Sequence, residues 1–430
     1  MAAGEATALE TTVTPALDAR ARDRALFQAA LMVNLGWLGT SFSMEIMELP
    51  VQFLLKEQVK LDANALSEFM FLALIPIYLK PFAGILTDAV PLLGMRRKSY
   101  LVISLFLAAV VWLSLALVPR QFGPLLVIYL LWSCCSTMTS TVLGGVMVEV
   151  GHEFQATGRL SAQRQALTRA VKFITGPLGG YLSILPFLVP ASIVSGLYLG
   201  LTAFFAKTLK EVPKQHDRAK VMADLRRQSA DLFKSKTLWA AAGLVILVVA
   251  APGFGTPLLY FQTDVLKFDK TLIGTLKSVE AVGAVLGTLV YSAFCRHWNL
   301  RRLLAVSILF HAVMTLCYLG YRNRETALII TCVEGMTLVL ALLPLYDLSA
   351  RATPRGSEAL GYSLMMSVWN FTTQASNWAG SELYARYKLS FQQLVWVNSG
   401  TTLLVLLAVP FLPAVLMNRK EGEAEVVEPH

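Results

Sequence analysis

Charge is scarce in this chain. Of 430 residues, 15% are Asp, Glu, Lys or Arg and 55% are hydrophobic, whereas a soluble protein of this size carries nearer a quarter charged residues. Cysteine is scarce as well. The five present (Cys134, Cys135, Cys295, Cys317 and Cys332) are odd in number and show no CxxC or Cys/His spacing, which argues against a disulfide framework and a zinc site. They read as small buried hydrophobes. Short runs of alternating hydrophobicity are missing, which argues against a β-barrel. No His-x-x-Glu-His, Gly-x-Ser-x-Gly or phosphate-binding glycine loop occurs, so the chain reads as a non-enzyme with no metal and no cofactor. No secretory leader precedes the first apolar run, and the acids Glu5, Glu10, Asp18 and Asp23 are unlike a transit peptide.

What is present is long apolar runs, several of them reaching the roughly 20 residues that cross a bilayer as a helix. Breaking them at charge, Pro and Gly gives twelve spans. They start near Ala25, Asn64, Ser99, Pro124, Leu160 and Pro186, then near Thr237, Lys270, Leu303, Glu325, Ser357 and Ser390. The chain is therefore expected to be an all-α polytopic membrane protein. Its expected parts are a tail (1–24), six spans (25–207), a basic linker (208–236), six spans (237–417) and a second tail (418–430). With both termini on one side, that side holds 23 Lys and Arg and the other holds 9. The positive-inside rule then makes the termini cytoplasmic, in the cell membrane. The net charge of +9 reflects this topology, and the linker is read as a surface segment rather than a nucleic-acid site.

The two sets of six spans resemble each other in where charge falls. The turn after the second span reads GILTDAVPLLGMRRK and the turn after the eighth reads GTLVYSAFCRHWNLRR: a late Gly, a short turn, a basic cluster. Spans three, six, nine and twelve hold no interior Asp, Glu, Lys or Arg, and His311 is their one ionisable residue besides Cys and Tyr. A charge facing lipid is costly, so the bare spans belong outside and the charged spans inside. That is the arrangement of the major facilitator fold, twelve helices in two six-helix bundles.

The first of those turns resembles the Gly-x-Leu-x-Asp-x-x-Gly-Arg-Arg signature of the major facilitator superfamily, through Gly84, Leu86, Asp88, Gly94, Arg96 and Arg97. The longer stretch KPFAGILTDAVPLLGMRRKSYL (80–101) resembles the folate–biopterin transporter family within it. So do LPVQFLLKEQVKL (49–61), LLYFQTDVLKF (258–268), LVYSAFCRHWNLRRLL (289–304) and TPRGSEALGYSLMMSVWN (353–370). The resemblance implies a secondary transporter moving a small folate- or pterin-like solute, with protons as the coupling ion, the lipid bilayer as surroundings and a monomer as the unit. It assigns Lys80, Asp88, Arg96 and Arg97 to gating, with Asp88 latching across the domain interface. It also implies two aspartates, four apart, before a Glu in helix four; here Glu149 is present and Ser140 and Gly144 stand at the other positions. ITGPLGG (174–180) resembles a Gly-Pro turn of drug exporters, so export of another organic anion or drug stays open, as does a non-transporting membrane sensor or assembly factor.

At 1.5 Å per residue, Arg169 and Lys172 in helix five lie roughly 14 and 18 Å from its start, on one face. Two cations without an adjacent acid read as an anion site for a solute carboxylate; the alternative is pairing with Glu45 or Glu48. Lys277 and Glu280 in helix eight are three apart and read either as a self-pair or, with Glu45 and Glu48, as solute-binding side chains. Glu334 in helix ten, without a local cation, reads as a proton carrier. Asn370 and Gln374, with Asn377, give helix eleven a polar stripe, for solute or for interhelical bonds. Trp369 and Trp378 read as packing aromatics.

Overall fold

In hydrocarbon every backbone N–H and C=O must be paired within the protein, so apolar runs become helices. The computed structural model describes residues 19–211, 218–294, 297–354 and 357–408, and it has twelve helical spans. The first is α1 (Ala19–Phe53), ending in a π-helical turn, Leu54–Gln58. The second is broken into α2 (Ala63–Ala73), α3 (Ile75–Tyr78) and α4 (Lys80–Ala89). The third to sixth are α5 (Lys98–Leu117), α6 (Phe122–Glu153), α7 (Thr157–Leu182) and α8 (Leu188–Thr208). Helix α9 (Arg218–Lys234) lies between the halves of the chain. The seventh span is α10 (Lys236–Val249) and α11 (Gly255–Tyr260), with a second π-helical turn, Phe261–Val265. Then come α12 (Lys270–Phe294), α13 (Leu300–Thr315) with a 3₁₀ turn, α14 (Arg324–Ala352), α15 (Glu358–Ala385) and α16 (Phe391–Val405).

Seven of these spans among the described residues are, alone, long and apolar enough to cross a membrane. The other five fall short: the eleventh, α15, carries a polar stripe, the twelfth, α16, has only 15 residues, and three do so for local reasons. The second is broken at Leu74 and Leu79, each two residues ahead of a proline, Pro76 and Pro81; proline lacks an N–H and its ring collides with the preceding turn. The fifth carries Arg164, Arg169 and Lys172. The seventh opens between Val249 and Gly255.

Within the first half α5 packs on α6 and α8; within the second, α13 packs on α14 and α16. The halves meet along two seams, α7 against α12 and α2–α4 against α15. This is the major facilitator arrangement expected from the charge pattern. Outward faces are apolar: on α5, Phe106, Leu107, Val110 and Leu113 are exposed, as a lipid-facing helix requires. Cys134 and Cys317 are exposed too, which corrects their reading as buried; Cys135 is buried and Cys332 half-buried. Cys295 lies outside the described residues, as do Lys214 of the linker and the second tail.

The α7–α12 seam is made by glycine. Gly176 and Gly180 sit against the backbone of Gly274 and Lys270, so that a Cβ on any of the three glycines would overlap a main-chain carbonyl. ITGPLGG is thus a packing surface, as small residues at membrane helix contacts are. A repeat also appears that spans the halves. Each π-helical turn is followed by a lysine with positive φ (Lys60 at 61°, Lys267 at 55°), then by an aspartate that caps the next helix. Asp62 accepts from Ala65 N and Asp269 from Leu272 N, both at 2.8 Å. The spacing is the same in VKLDANAL and LKFDKTLI.

Gly274→Ala is expected to destabilise the protein by about 1–3 kcal/mol, because the new methyl meets backbone that cannot repack. Gly196→Ala, where a Cβ meets nothing, should be neutral. Thermal unfolding in detergent separates the two.

Candidate functional site

A cavity of about 540 Å³ lies between the halves. Its charged wall comes from three helices: Glu45 and Glu48 on α1, Lys277 and Glu280 on α12, and Glu334 on α14. Lys277 does not pair with Glu280 on its own helix. Its Nζ donates to Glu48 Oε1 of the other half at 2.9 Å, while Lys172 Nζ donates to Glu280 Oε1 at 3.2 Å. The residues i and i+3 of α12 are neighbours, but each finds a better partner across the seam. Two predictions are corrected together. Lys277 and Glu280 are not a self-pair, and the anion facing Lys172 is Glu280 rather than a solute. Neither Lys172 nor Arg169 is part of the cavity wall. Glu45 lies within electrostatic reach of Lys172 and Lys277.

Glu334 is brought beside Glu280 by glycine: a Cβ on Gly335 would overlap the Glu280 carbonyl, and Gly283 and Gly287 meet the α14 backbone in the same way. Glu334 Oε2 is buried without a hydrogen-bond partner. The charge acting on it is the Glu280 carboxylate, which sequence spacing did not show. The cavity holds four carboxylates, Glu45, Glu48, Glu280 and Glu334, against the two ammonium groups of Lys172 and Lys277 that pair into it.

The wall also includes Tyr129 and Trp132 of α6, with ring centroids 4.8 Å apart. These aromatics were missed; the tryptophans singled out from the sequence pack elsewhere, Trp378 stacked on Phe71 at 5.4 Å and Trp369 against Tyr346 at 5.5 Å. The bare third and sixth spans contribute nothing to this wall, as expected. The ninth and twelfth do reach it, at His311, Tyr318 and Asn398. Being outermost does not stop a helix from sending in one long side chain where its neighbour opens, and the seventh span is open there.

That opening explains the polar stripe on α15. Asn377 Oδ1 accepts from Thr256 N at 3.0 Å, Ser376 O from Gly253 N at 2.9 Å, and Asn398 Nδ2 donates to Pro252 O at 3.0 Å. Backbone groups freed by the break are satisfied by neighbouring helices. Gln374 faces the cavity; Asn370 is not among its lining residues.

At the ends of α4 and α5 the chain turns through Leu93 and Gly94, both at positive φ, and the cations fold back. Arg97 lies 3.1 Å from Asp88 and 3.0 Å from Glu149, with Arg96 at 3.4 Å from Glu149. Gly145 leaves room for the guanidinium, which a Cβ there would overlap. Asp88 is therefore paired inside its own half, and the latch expected across the interface is not formed in this structure. Lys80 is at the second helix break and makes no ion pair among the described residues. A residue that sequence reasoning overlooked completes the turn: Glu211, just past α8, accepts from the backbone N–H of Arg96, Arg97 and Lys98 at 2.8, 2.9 and 2.8 Å. A carboxylate on three free N–H groups is a favourable helix N-terminus. Burial acts to raise the Glu211 carboxyl, and the three N–H bonds outweigh it, leaving it below the usual carboxylate range.

On the side away from the termini the halves are bolted together. Lys56 reaches Thr263 and Asp264, the latter at 2.5 Å, and Lys270 reaches Glu57 at 2.6 Å. Tyr260 Oη donates to the Leu61 carbonyl, and Ser67 and Ser381 share a hydrogen bond of 2.6 Å.

The chain matches the BT1 family over residues 41–428. A folate-biopterin transporter of Synechocystis is 26% identical over 385 residues, covering 85% of this chain and 77% of its own. Folate transporter 2 of Plasmodium falciparum is 23% identical, with 85% and 84% covered, and a probable folate-biopterin transporter of Arabidopsis thaliana is 25% identical, with 77% and 84% covered. Among solved structures, the nucleoside transporter NupG superposes with a TM-score of 0.66 at 13% identity (89% of this chain, 98% of that one). The inward-open xylose transporter XylE of E. coli does so with 0.65 at 12% (90% and 96%). At these identities the superpositions speak for the fold.

Two outcomes test the site's electrostatics. The Lys277–Glu48 side chains are about one third exposed to the cavity, so breaking the pair should cost between the ~1 kcal/mol of a surface pair and the ~3–5 kcal/mol of a buried one. Lys277→Met should lower the melting temperature, and adding Glu48→Leu should restore part of the loss; no restoration would mean the charges are not compensating each other. Glu211, whose carboxyl is lowered by folding, contributes stability above the ordinary carboxylate pKa, and that stability is lost as pH falls through the folded value. The stability difference between wild type and Glu211→Gln should be largest near neutrality and vanish on acidification.

Proposed function

This chain belongs to the BT1 family, and from that membership we propose that it carries a small heteroaromatic or anionic solute of the folate or pterin kind by alternating access, coupled to protons. Membrane transport of a small solute is common to the relatives by name. The observation that carries the finer reading is the cavity between the halves, with carboxylates in excess of ammonium groups and aromatic rings beside them. Unpaired carboxylates away from water are costly. Proton donors supply the compensation: the amino and ring N–H groups of a pterin-like head, and a proton on Glu334. Glu45, Glu48, Lys277, Glu280 and Gln374 are the solute-binding side chains, with Lys172 holding Glu280. Tyr129 and Trp132, 6% and 1% exposed and packed on each other, back this wall and stiffen it.

In this reading the protein rests with the side away from its termini shut by the Lys56–Asp264 and Lys270–Glu57 pairs, and access is from the terminus side. Asp88, Arg96 and Arg97 form the opposite gate, with Asp88 exchanging Arg97 for a partner in the second half when that gate closes. The positive-inside bias makes the terminus side cytoplasmic, in the cell membrane, with a single chain as the transport unit.

Uptake of labelled folate and biopterin into proteoliposomes, with and without an inward proton gradient, tests the proposal. Gradient-driven accumulation of at least one is expected. Glu334→Gln should abolish the gradient-driven component and retain solute exchange; full proton dependence in that variant removes Glu334 as the carrier.

A further inference from the structure

Outside the carboxylate-rich wall, toward the termini, α7 and α4, which do not line that cavity, carry charge of the opposite sign. On α7, Arg164, Arg169 and Lys172 fall within an arc of about 140° at 100° per residue. Lys172 is paired, but Arg164 and Arg169 have no acidic partner among the described residues. Arg164 instead lies with Cζ 3.9 Å over the ring of Trp37 on α1. Lys80, where α4 begins, is also without a side-chain hydrogen bond or ion pair among the described residues, and the charge acting on it is the guanidinium of Arg164, a like charge. The other group within electrostatic reach of Arg164 is the Tyr362 hydroxyl on α15. Depths agree: Arg164 is seven residues into α7 and Lys80 nine residues from the end of α4, roughly 10 and 14 Å from the terminus side.

Two polar atoms at the same place lack partners. Asn34 Nδ2 donates to Gln163 Oε1 at 2.9 Å, which leaves Asn34 Oδ1 buried and unpaired, and Trp37 Nε1 is likewise buried and unpaired although Trp37 is only 6% exposed. Buried polar atoms are nearly always hydrogen-bonded, and like charges are not held together inside a membrane protein without an anion. The cation–π contact orients the Arg164 guanidinium without neutralising it.

We propose that Lys80 and Arg164 form an anion subsite on the terminus side of the cavity, which takes a carboxylate group of the solute. The proposal rests on the transport reading given above and extends it to the shape of the solute. Arg164 and Lys172 are eight residues apart, about 12 Å along the helix, so the anionic group is separated by about that distance from the proton-donating head at the carboxylate wall. Arg164 can hold a carboxylate through two parallel N–H bonds, which Lys cannot replace in geometry. Lys80 adds a point charge from the facing half-span. The assignment moves Lys80 from gating to binding.

Two measurements on the full chain in lipid nanodiscs test this. In the first, affinities for folate (two carboxylates) and biopterin (none) are compared by calorimetry. Arg164→Gln and Lys80→Gln should each weaken folate at least tenfold and leave biopterin within about twofold, with Arg164→Lys intermediate; equal losses for both ligands, or none, would overturn the subsite. The second does not depend on which solute is carried. In a cysteine-free background, Asn34→Cys is labelled with an anionic and a cationic methanethiosulfonate reagent. Preference for the anionic reagent, lost in Arg164→Gln/Lys80→Gln, is expected. A protein that binds neither pteridine but keeps that preference overturns the solute reading and retains the anion site. Equal labelling by both reagents overturns the site itself.

Discussion

Charge inside a membrane has to be answered by charge, and here the answer comes from the other half of the molecule. Lys277 of α12 meets Glu48 of α1, and Glu280 of α12 meets Lys172 of α7. Each half carries both signs, Glu48 with Lys172 in the first and Lys277 with Glu280 in the second, yet the contacts formed run between the halves, and parting them would leave ions that each cost several kcal/mol until re-paired. The crossed pairs therefore hold the two bundles in register at mid-membrane, and they do so beside the cavity, where a ligand or a proton can change the balance. An interface made only of apolar contacts would pack as well but would have nothing for a solute to compete with.

The crossed pairs need close backbones, and glycine provides them. Gly176, Gly180 and Gly274 let α7 and α12 touch main chain to main chain, which sets Lys172 and Glu280 within 3.2 Å. Gly335 does the same between α12 and α14, and so sets Glu334 beside Glu280. The repeat of π-helical turn, positive-φ lysine and capping aspartate in both halves puts equivalent positions opposite one another at the far rim. There Lys56 meets Thr263, its counterpart in the second half, along with Asp264. Duplication thus gives a rim that a few pairs bolt between two bundles of like build. At the other rim, Asp88 and Glu149 hold Arg97 within one bundle, which leaves that side unbolted by this cluster.

Span count and fold were legible because they depend on long-range composition: apolar length, and the distribution of charge among every third helix; the family was legible only through the resemblance of stretches such as KPFAGILTDAVPLLGMRRKSYL. The residues of the site were legible as a set, since an ionisable side chain in an apolar span has few ways to be innocuous. Their partners were not. Spacing along one helix suggests Lys277 with Glu280, and only the third dimension shows that each reaches further for a partner on another bundle. Asp88 was read across an interface although Arg97 stands nine residues on in the same motif; that the turn folds the guanidinium back onto Asp88, with Glu149 sharing it, shows only in three dimensions. Glu211 was invisible because a carboxylate on three backbone N–H groups has no side-chain counterpart to look for. Arg164 went unnoticed for a similar reason, as its neighbour is the face of Trp37 and not a charge. The polar stripe on α15 was visible, but its division of labour was not: Asn377 repairs the broken seventh span while Gln374 turns to the cavity.

The central claim is that two rigid halves rock about this mid-membrane layer, one rim opening as the other closes. Paired spin labels read it directly: one pair at Gln121 and Tyr387 on the far rim, another at Leu93 and His297 on the terminus side, all exposed positions. Releasing the far-rim pairs with Lys56→Ala and Lys270→Ala should lengthen the first distance and shorten the second in the same sample. If both distances lengthen together, or the second stays fixed while the first moves, the halves do not rock about the layer and the account is wrong.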